Sequence, residues 1–171
     1  NSSSGIEIDE FNLQMTISEN EITDNGQYGI KYDQYNDNAT ISDNNITGHS
    51  NRGIYLYRSN DNMLIQGNEI TSNGSYGIHV ANASANSSYS NNQVDIKQNT
   101  ISDHTSHGIN FGYSYGDIIQ NLIVNNGADG IYIYNAYNGD FEVRNNTIDG
   151  NSDDGLYWRS NSSALTPCMP E

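Results

Sequence analysis

The strongest constraint on this chain is an internal repeat, with a period of about 24 residues. Glycine, an aliphatic residue, any residue and a large apolar residue recur seven times. The copies are Gly5-Ile6-Glu7-Ile8, Gly29-Ile30-Lys31-Tyr32, Gly53-Ile54-Tyr55-Leu56, Gly77-Ile78-His79-Val80, Gly108-Ile109-Asn110-Phe111, Gly130-Ile131-Tyr132-Ile133 and Gly155-Leu156-Tyr157-Trp158. The interval is constant over the first four copies, longest between Gly77 and Gly108, and shortest between Gly108 and Gly130. A second motif, aliphatic-x-x-Asn-x-aliphatic, keeps the same rhythm around Asn20, Asn44, Asn68, Asn99, Asn121 and Asn146. In all six copies the next motif glycine falls seven residues after the last aliphatic, and Asn or His lies three residues after that aliphatic. Those six positions are Asn25, His49, Asn73, His104, Asn126 and Asn151.

Residues i and i+2 of a strand point to one face, so each repeat offers three short strands separated by turns. One such unit cannot bury its apolar face alone, whereas stacked units can. Coils stacked at about 4.8 Å place equivalent residues in columns. The isoleucine columns then fill the interior, each buried side chain contributing roughly 1.5–3 kcal/mol. Asn tolerates the left-handed conformation, and stacked amides can hydrogen-bond from coil to coil. Asn20, Asn44, Asn68, Asn99, Asn121 and Asn146 therefore read as an asparagine ladder placed at sharp bends. The glycine column reads as a tight start to the following strand.

Order along the chain overrides composition. Leu, Ile, Val and Phe make only 33 of 171 residues, and the net charge is −15, a combination usual for disorder. With 6 Lys+Arg against 21 Asp+Glu, the surface is ill suited to nucleic acid or anionic membranes. There is no apolar run long enough for a membrane span. The single Cys168 excludes an intramolecular disulfide and a multi-cysteine metal site. The start at Asn1, without initiator Met or leader, reads as a processed end or as the edge of an excised piece. These readings place the protein outside the cytoplasm, extracellular or on the cell surface.

The repeated motifs resemble those of the right-handed parallel β-helix family, the pectate-lyase-like solenoids, over residues 5–158. The expected fold is all-β, a right-handed parallel β-helix (solenoid) of six to seven coils, each of roughly 22–31 residues. The domain is assigned to 1–159 and a C-terminal tail, acting as a cap or inter-subunit strand, to 160–171. A polar insertion between Val80 and Val94 reads as a projecting loop. The resemblance specifies fold better than function, because this fold hosts lyases, hydrolases, epimerases, adhesins, tail proteins and surface-layer proteins.

In the enzymes that the chain resembles, the active site lies outside the helix along one strand face. The outward positions there include Tyr55, Tyr57, Tyr132, Tyr134 and Tyr157, an aromatic strip suited to sugar rings or to an interface. The residues preceding the motif glycines bring His107, Asp129 and Asp154 into one column, with Asp153 adjacent. These four are the acid/base candidates if the protein is an enzyme. Asp129 and Asp154 are also a weak Ca²⁺ candidate, and no other cofactor is expected. The Arg-x-Lys signature of the acidic-polysaccharide hydrolases, the Ca²⁺ and Arg arrangement of pectate lyases and the Gly-Gly-x-Gly-x-Asp repeat have no counterpart, which weighs against catalysis. His104 and His107 could pair on a metal, but His49 and His104 occupy a turn position otherwise held by Asn. The glycosylation candidates are Asn38, Asn82 and Asn86 in loops and Asn45 and Asn145 beside the ladder.

The first functional reading is a non-catalytic secreted structural protein, a subunit of an extracellular filament or surface assembly built by head-to-tail stacking. The alternative is a carbohydrate-binding β-helix module, as in an adhesin or tail protein. A polysaccharide lyase, hydrolase or epimerase ranks behind both.

Overall fold

A computed structural model of the chain describes residues 1–81, 93–135 and 141–159. The described residues contain 19 strands and no helix. A seven-stranded sheet is built from β1 (Ile6–Ile8), β4 (Tyr28–Gln34), β7 (Arg52–Arg58), β10 (Ile78–Val80), β13 (Ile109–Gly112), β16 (Ile131–Tyr134) and β19 (Leu156–Arg159). A six-stranded sheet contains β2 (Thr16–Ser18), β5 (Thr40–Ser42), β8 (Met63–Gln66), β11 (Val94–Lys97), β14 (Ile118–Ile119) and β17 (Val143–Arg144). Another contains β3 (Glu21–Thr23), β6 (Asn45–Thr47), β9 (Glu69–Thr71), β12 (Thr100–Ser102), β15 (Leu122–Val124) and β18 (Thr147–Asp149). Each coil gives one strand to each sheet, and every pairing is parallel. The chain is a β-solenoid of about six coils, as its repeat implies.

The register follows the motifs. Ile54 pairs with Ile78 and Ile78 with Ile109, despite the longer interval between these last two. The insertion thus leaves the columns undisturbed. In the short strands one isoleucine faces inward, as Ile46 and Ile70 do, both completely buried. Tyr32 and Phe111 occupy the same inward column as Leu56 and Val80. Burial lifts the Tyr32 phenol pKa to about 12.

The corners carry the finer logic. Asn44 Oδ1 accepts the backbone N–H and the side-chain amide of Asn20, each at 3.0 Å. The Asn44 amide donates in turn to Asn68 Oδ1 and to the Ile17 carbonyl, each at 2.9 Å. The same arrangement continues through Asn99 and Asn121 to Asn146, so the asparagine ladder is real. The ladder residues are not the left-handed ones, however. Glu19 (φ 57°), Asp43 (56°), Gly67 (67°), Gln98 (58°), Gln120 (58°) and Asn145 (57°) hold that conformation, each one residue earlier. The preceding residue turns the chain, and the asparagine satisfies the backbone that the turn leaves unpaired.

A second corner uses histidine in the same role. Asn25 N–H donates to His49 Nδ1 and Asn73 N–H to His104 Nδ1, both at 3.1 Å. The Nε2 atoms of His49 and His104 lie 3.1 Å from the Ile22 and Ile70 carbonyls. Nδ1 replaces an amide oxygen and Nε2–H an amide nitrogen, which assigns the tautomer. His104 therefore has no nitrogen left for a metal pair with His107. A third ladder, outside the two motifs, runs through Asn12, Asn36 and Asn60.

The motif glycines also have a different reason from the one expected. Gly77 has an ordinary negative-side backbone, but a Cβ there would lie 2.5 Å from His104 Nε2, 2.6 Å from Ile101 Cγ2 and 2.7 Å from the Gly108 carbonyl. Close approach to the next coil, not turn geometry, excludes a side chain.

Candidate functional site

The outer face of the seven-stranded sheet collects the aromatic side chains. Strict alternation along β4 would place Lys31 outside and Tyr28 inside. Two successive buried residues, Gly29 and Ile30, break that alternation and return Tyr28 to the outer side. The residues before the motif glycines thus stand beside the outward strand positions. Tyr28, Tyr76 and His107 join the predicted tyrosines for this reason, and counting by twos from the isoleucines could not reveal it.

The rings touch without a break from β4 to β19. Centroid separations are 5.3 Å for Tyr28–Tyr55, 5.3 Å for Tyr55–His79, 4.9 Å for His79–Tyr76 and 5.6 Å for Tyr76–His107. The run continues at 4.8 Å for His107–Tyr132 and 5.3 Å for Tyr132–Tyr157. Tyr57 and Tyr134 flank it, 5.9 Å from Tyr55 and 5.7 Å from Tyr132. Burial raises the Tyr134 pKa to about 12, and burial also raises that of Tyr55.

Orientation changes the chemistry expected of this strip. Tyr76 and His107 are parallel within 1°, His107 and Tyr132 within 18°, and Tyr132 and Tyr157 within 2°. These rings use their faces on one another. What they offer outward is edges and hydroxyls. At the last strand Tyr157 is 40% exposed and is not capped by a further ring among the described residues.

Beside Tyr157 lies an open cleft of about 300 Å³, lined by Asp129, Tyr132, Asp153, Asp154 and Tyr157. The sequence-predicted acidic residues therefore do come together. His107 Nδ1 accepts the Asp129 backbone N–H at 3.1 Å, and Asp129 Oδ1 accepts the Asp154 N–H at 2.9 Å. Burial holds the His107 pKa below its ordinary value, against the opposing pull of Asp129 and Asp153. Its Nδ1 is then the unprotonated acceptor that the Asp129 N–H requires. Protonation would exchange that bond for an ion pair with Asp129 Oδ2, 3.2 Å away. Among the described residues no group of three or more His, Cys, Asp or Glu side chains is arranged to hold a metal ion.

The glycosylation candidates Asn38, Asn45 and Asn145 are exposed, whereas Asn82 and Asn86 lie outside the described residues, as does the 160–171 tail. No helix among the described residues is long and apolar enough to cross a membrane.

Comparison with known proteins agrees with the fold. The family model for a right handed beta helix region matches residues 1–94 and 91–167. No curated protein matches. Among solved structures, a double mutant of the periplasmic alginate epimerase AlgG is similar, with a TM-score of 0.79 at 19% identity. A single mutant of the same epimerase gives the same values. The alignment covers 96% of this chain but 37% of the epimerase chain, so this chain spans little more than a third of that protein.

Proposed function

We propose that this chain, which belongs to the right-handed β-helix family, binds a polysaccharide along the outer face of its seven-stranded sheet. The observation that carries this reading is the cleft where the ring column ends, with three carboxyl groups and two tyrosines around about 300 Å³. Such a lining suits hydroxyl-rich ligands. Carboxylates and phenol oxygens accept the hydroxyl protons, and Tyr157 supplies a ring with an uncapped side. The cleft volume lies at the small end of the range for ligand sites. The rows of tyrosine edges extend the surface over five inter-strand steps, roughly 24 Å. The similar fold of an alginate epimerase supports a saccharide ligand and a place in the cell envelope or outside the cell. If the bound glycan also reacts, His107, Asp129, Asp153 and Asp154 are the groups placed to exchange protons.

The test is retention on immobilised neutral and acidic polysaccharides. Asp154→Asn and Tyr157→Ala should each weaken retention at least tenfold while leaving the melting temperature within a few degrees. Unchanged retention in both variants would remove the cleft from the function.

A second reading, end-to-end association into a filament, draws support from apolar side chains exposed on both end coils. Phe11 and Leu13 are 71% and 66% exposed at one end, and Leu156 and Trp158 are 43% and 53% exposed at the other. Filaments with an axial repeat of about 30 Å, six coils deep, would favour it; a monomer at high concentration would discard it.

A further inference from the structure

Arg52 packs on tyrosine rings, as Arg58 does on Tyr57 at 4.5 Å, but it is set among three of them. In a chain with 21 acidic residues and 6 Lys+Arg, a basic side chain should find a carboxylate easily. Lys31 pairs with Glu7 at 2.8 Å, Lys97 with Asp95 at 2.7 Å and Arg144 with Glu142 at 2.7 Å. Arg52 forms no ion pair with a carboxylate among the described residues. It stands instead in the outer ring column, in register with Tyr28. Its guanidinium carbon lies 4.2 Å from the Tyr55 centroid, 5.5 Å from Tyr28 and 5.6 Å from Tyr76.

The guanidinium thus replaces a ring in the stack. For a tyrosine, an edge-outward stance hides the face that a sugar would use. For arginine the consequence is reversed, because all five N–H donors lie in the plane of the group. A guanidinium packed among three rings recognises a ligand through those in-plane donors. One donor, on Nη1, bonds Tyr28 Oη at 3.2 Å. Nε is covered and has no partner, while the residue as a whole is half-buried. His79, in contact with Tyr55 and Tyr76, does not compete as a cation. Burial and the nearby Arg52 charge depress its pKa to about 3.

We propose that Arg52, framed by Tyr28, Tyr55 and Tyr76, is an anion subsite that takes the carboxylate or sulfate of an acidic sugar residue. The inference rests on the saccharide-binding reading and gives the ligand its chemical class. A fixed guanidinium can hold a carboxylate through two parallel hydrogen bonds, which neither a tyrosine edge nor a lysine reproduces. The opposite end of the face, at Asp129, Asp153 and Asp154, repels anions. The net charge of −15 opposes polyanions in general, so attraction must be local, within a screening length of about 8 Å. An acidic sugar would consequently be held at the Arg52 end, with uncharged hydroxyl groups toward the cleft.

The experiment follows the Arg52 side-chain N–H signals by NMR in the whole chain, titrated with free glucuronic acid, glucose and inorganic sulfate. A saturable Arg52 shift with glucuronate and none with glucose is expected. Arg52→Lys, which keeps the charge and loses the fork, should weaken the glucuronate response at least tenfold, followed on Tyr28 and Tyr76 ring signals. Its melting curve shows whether the fold survives. A shift with sulfate alone would establish the anion subsite and overturn the sugar assignment. No saturable shift with either anion overturns the subsite, whatever the polysaccharide retention experiment shows. Retention of neutral glycan unchanged in Arg52→Lys is the expected sign that the cleft acts separately. A saturable Arg52 shift in an unaltered chain that retains no polysaccharide would instead discard the polysaccharide reading and leave the anion site.

Discussion

The inner corner and the outer ring column climb the same coils, yet they tolerate change very differently. In the corner from Asn20 to Asn146 every rung is asparagine, and from Asn44 to Asn121 each amide accepts from one coil and donates to another in a buried space. In the outer column the rungs are Tyr28, Arg52, Tyr76, His107, Asp129 and Asp154. From Tyr28 to His107 the rungs are flat groups packed on neighbouring rings, and beyond them Asp129 and Asp154 are tied on by hydrogen bonds and line a cleft. A column that must close hydrogen bonds inside admits only side chains that both accept and donate, Asn throughout this corner and Asn or His in the second. A column on the outer face can change its chemistry along its length, from stacked rings to hydrogen-bonded carboxylates, and that freedom makes the outer face a candidate for function.

The two columns should differ most at Asn68. Asn68→Ala removes the acceptor for Asn44 N–H and its amide, and the donor to Ile41 O and Asn99 Oδ1. A loss of about 3 kcal/mol or more is expected, read as a fall in the urea midpoint at constant slope. A loss below about 1 kcal/mol would mean that water replaces the ladder. Next comes the histidine corner. His104 is neutral in the folded state, its pKa lowered to about 4 by burial, against 6.5 in the unfolded chain. Above pH 6.5 it adds no pH dependence. Between 6.5 and about 4 the unfolded chain binds the proton and the folded one does not, so stability falls by up to about 1.4 kcal/mol per pH unit. His104→Asn, the residue used by neighbouring coils, should flatten that slope with little change at about pH 8, above both pKa values; an unaltered slope would clear His104 of any part in it. The smallest effect belongs outside. Tyr132→Ala leaves no buried polar group unpaired and should cost about 1 kcal/mol beyond lost burial, from its contacts with His107 and Tyr157. A cost equal to that of Asn68→Ala would erase the distinction between the columns.

The fold was readable because burial forces the same residue types into the same place in each coil. Isoleucine, asparagine and glycine recur where interior space and hydrogen bonding admit few substitutes. The left-handed residues were hidden for the opposite reason. Glu19, Asp43, Gln98 and Gln120 share a backbone conformation but no side-chain requirement, so no motif marks them. The third ladder did leave a signal, since Asn12, Asn36 and Asn60 recur at the interval of the motifs around them, but it has three rungs where the others have six. At the candidate site the sequence brought His107, Asp129, Asp153 and Asp154 together correctly, because column membership follows from the repeat alone. It could not show that the tyrosines turn their faces to one another, since ring orientation is settled by neighbours on adjacent coils.

The separation between a free turning residue and a strict hydrogen-bonding residue at each corner bears on how such a chain can change length. Every coil presents to its neighbours the same set of donors and acceptors that it receives. A segment from one rung to the next, such as 45–68, could be lost in inheritance and leave Asn44 facing Asn99 with the ladder intact. The longer interval between Gly77 and Gly108 shows the complementary event, extra residues accepted between strands while the columns on either side stay in register. Growth and shortening of this protein are thereby counted in whole coils, and the position of a binding group along the outer face changes in steps of about 4.8 Å.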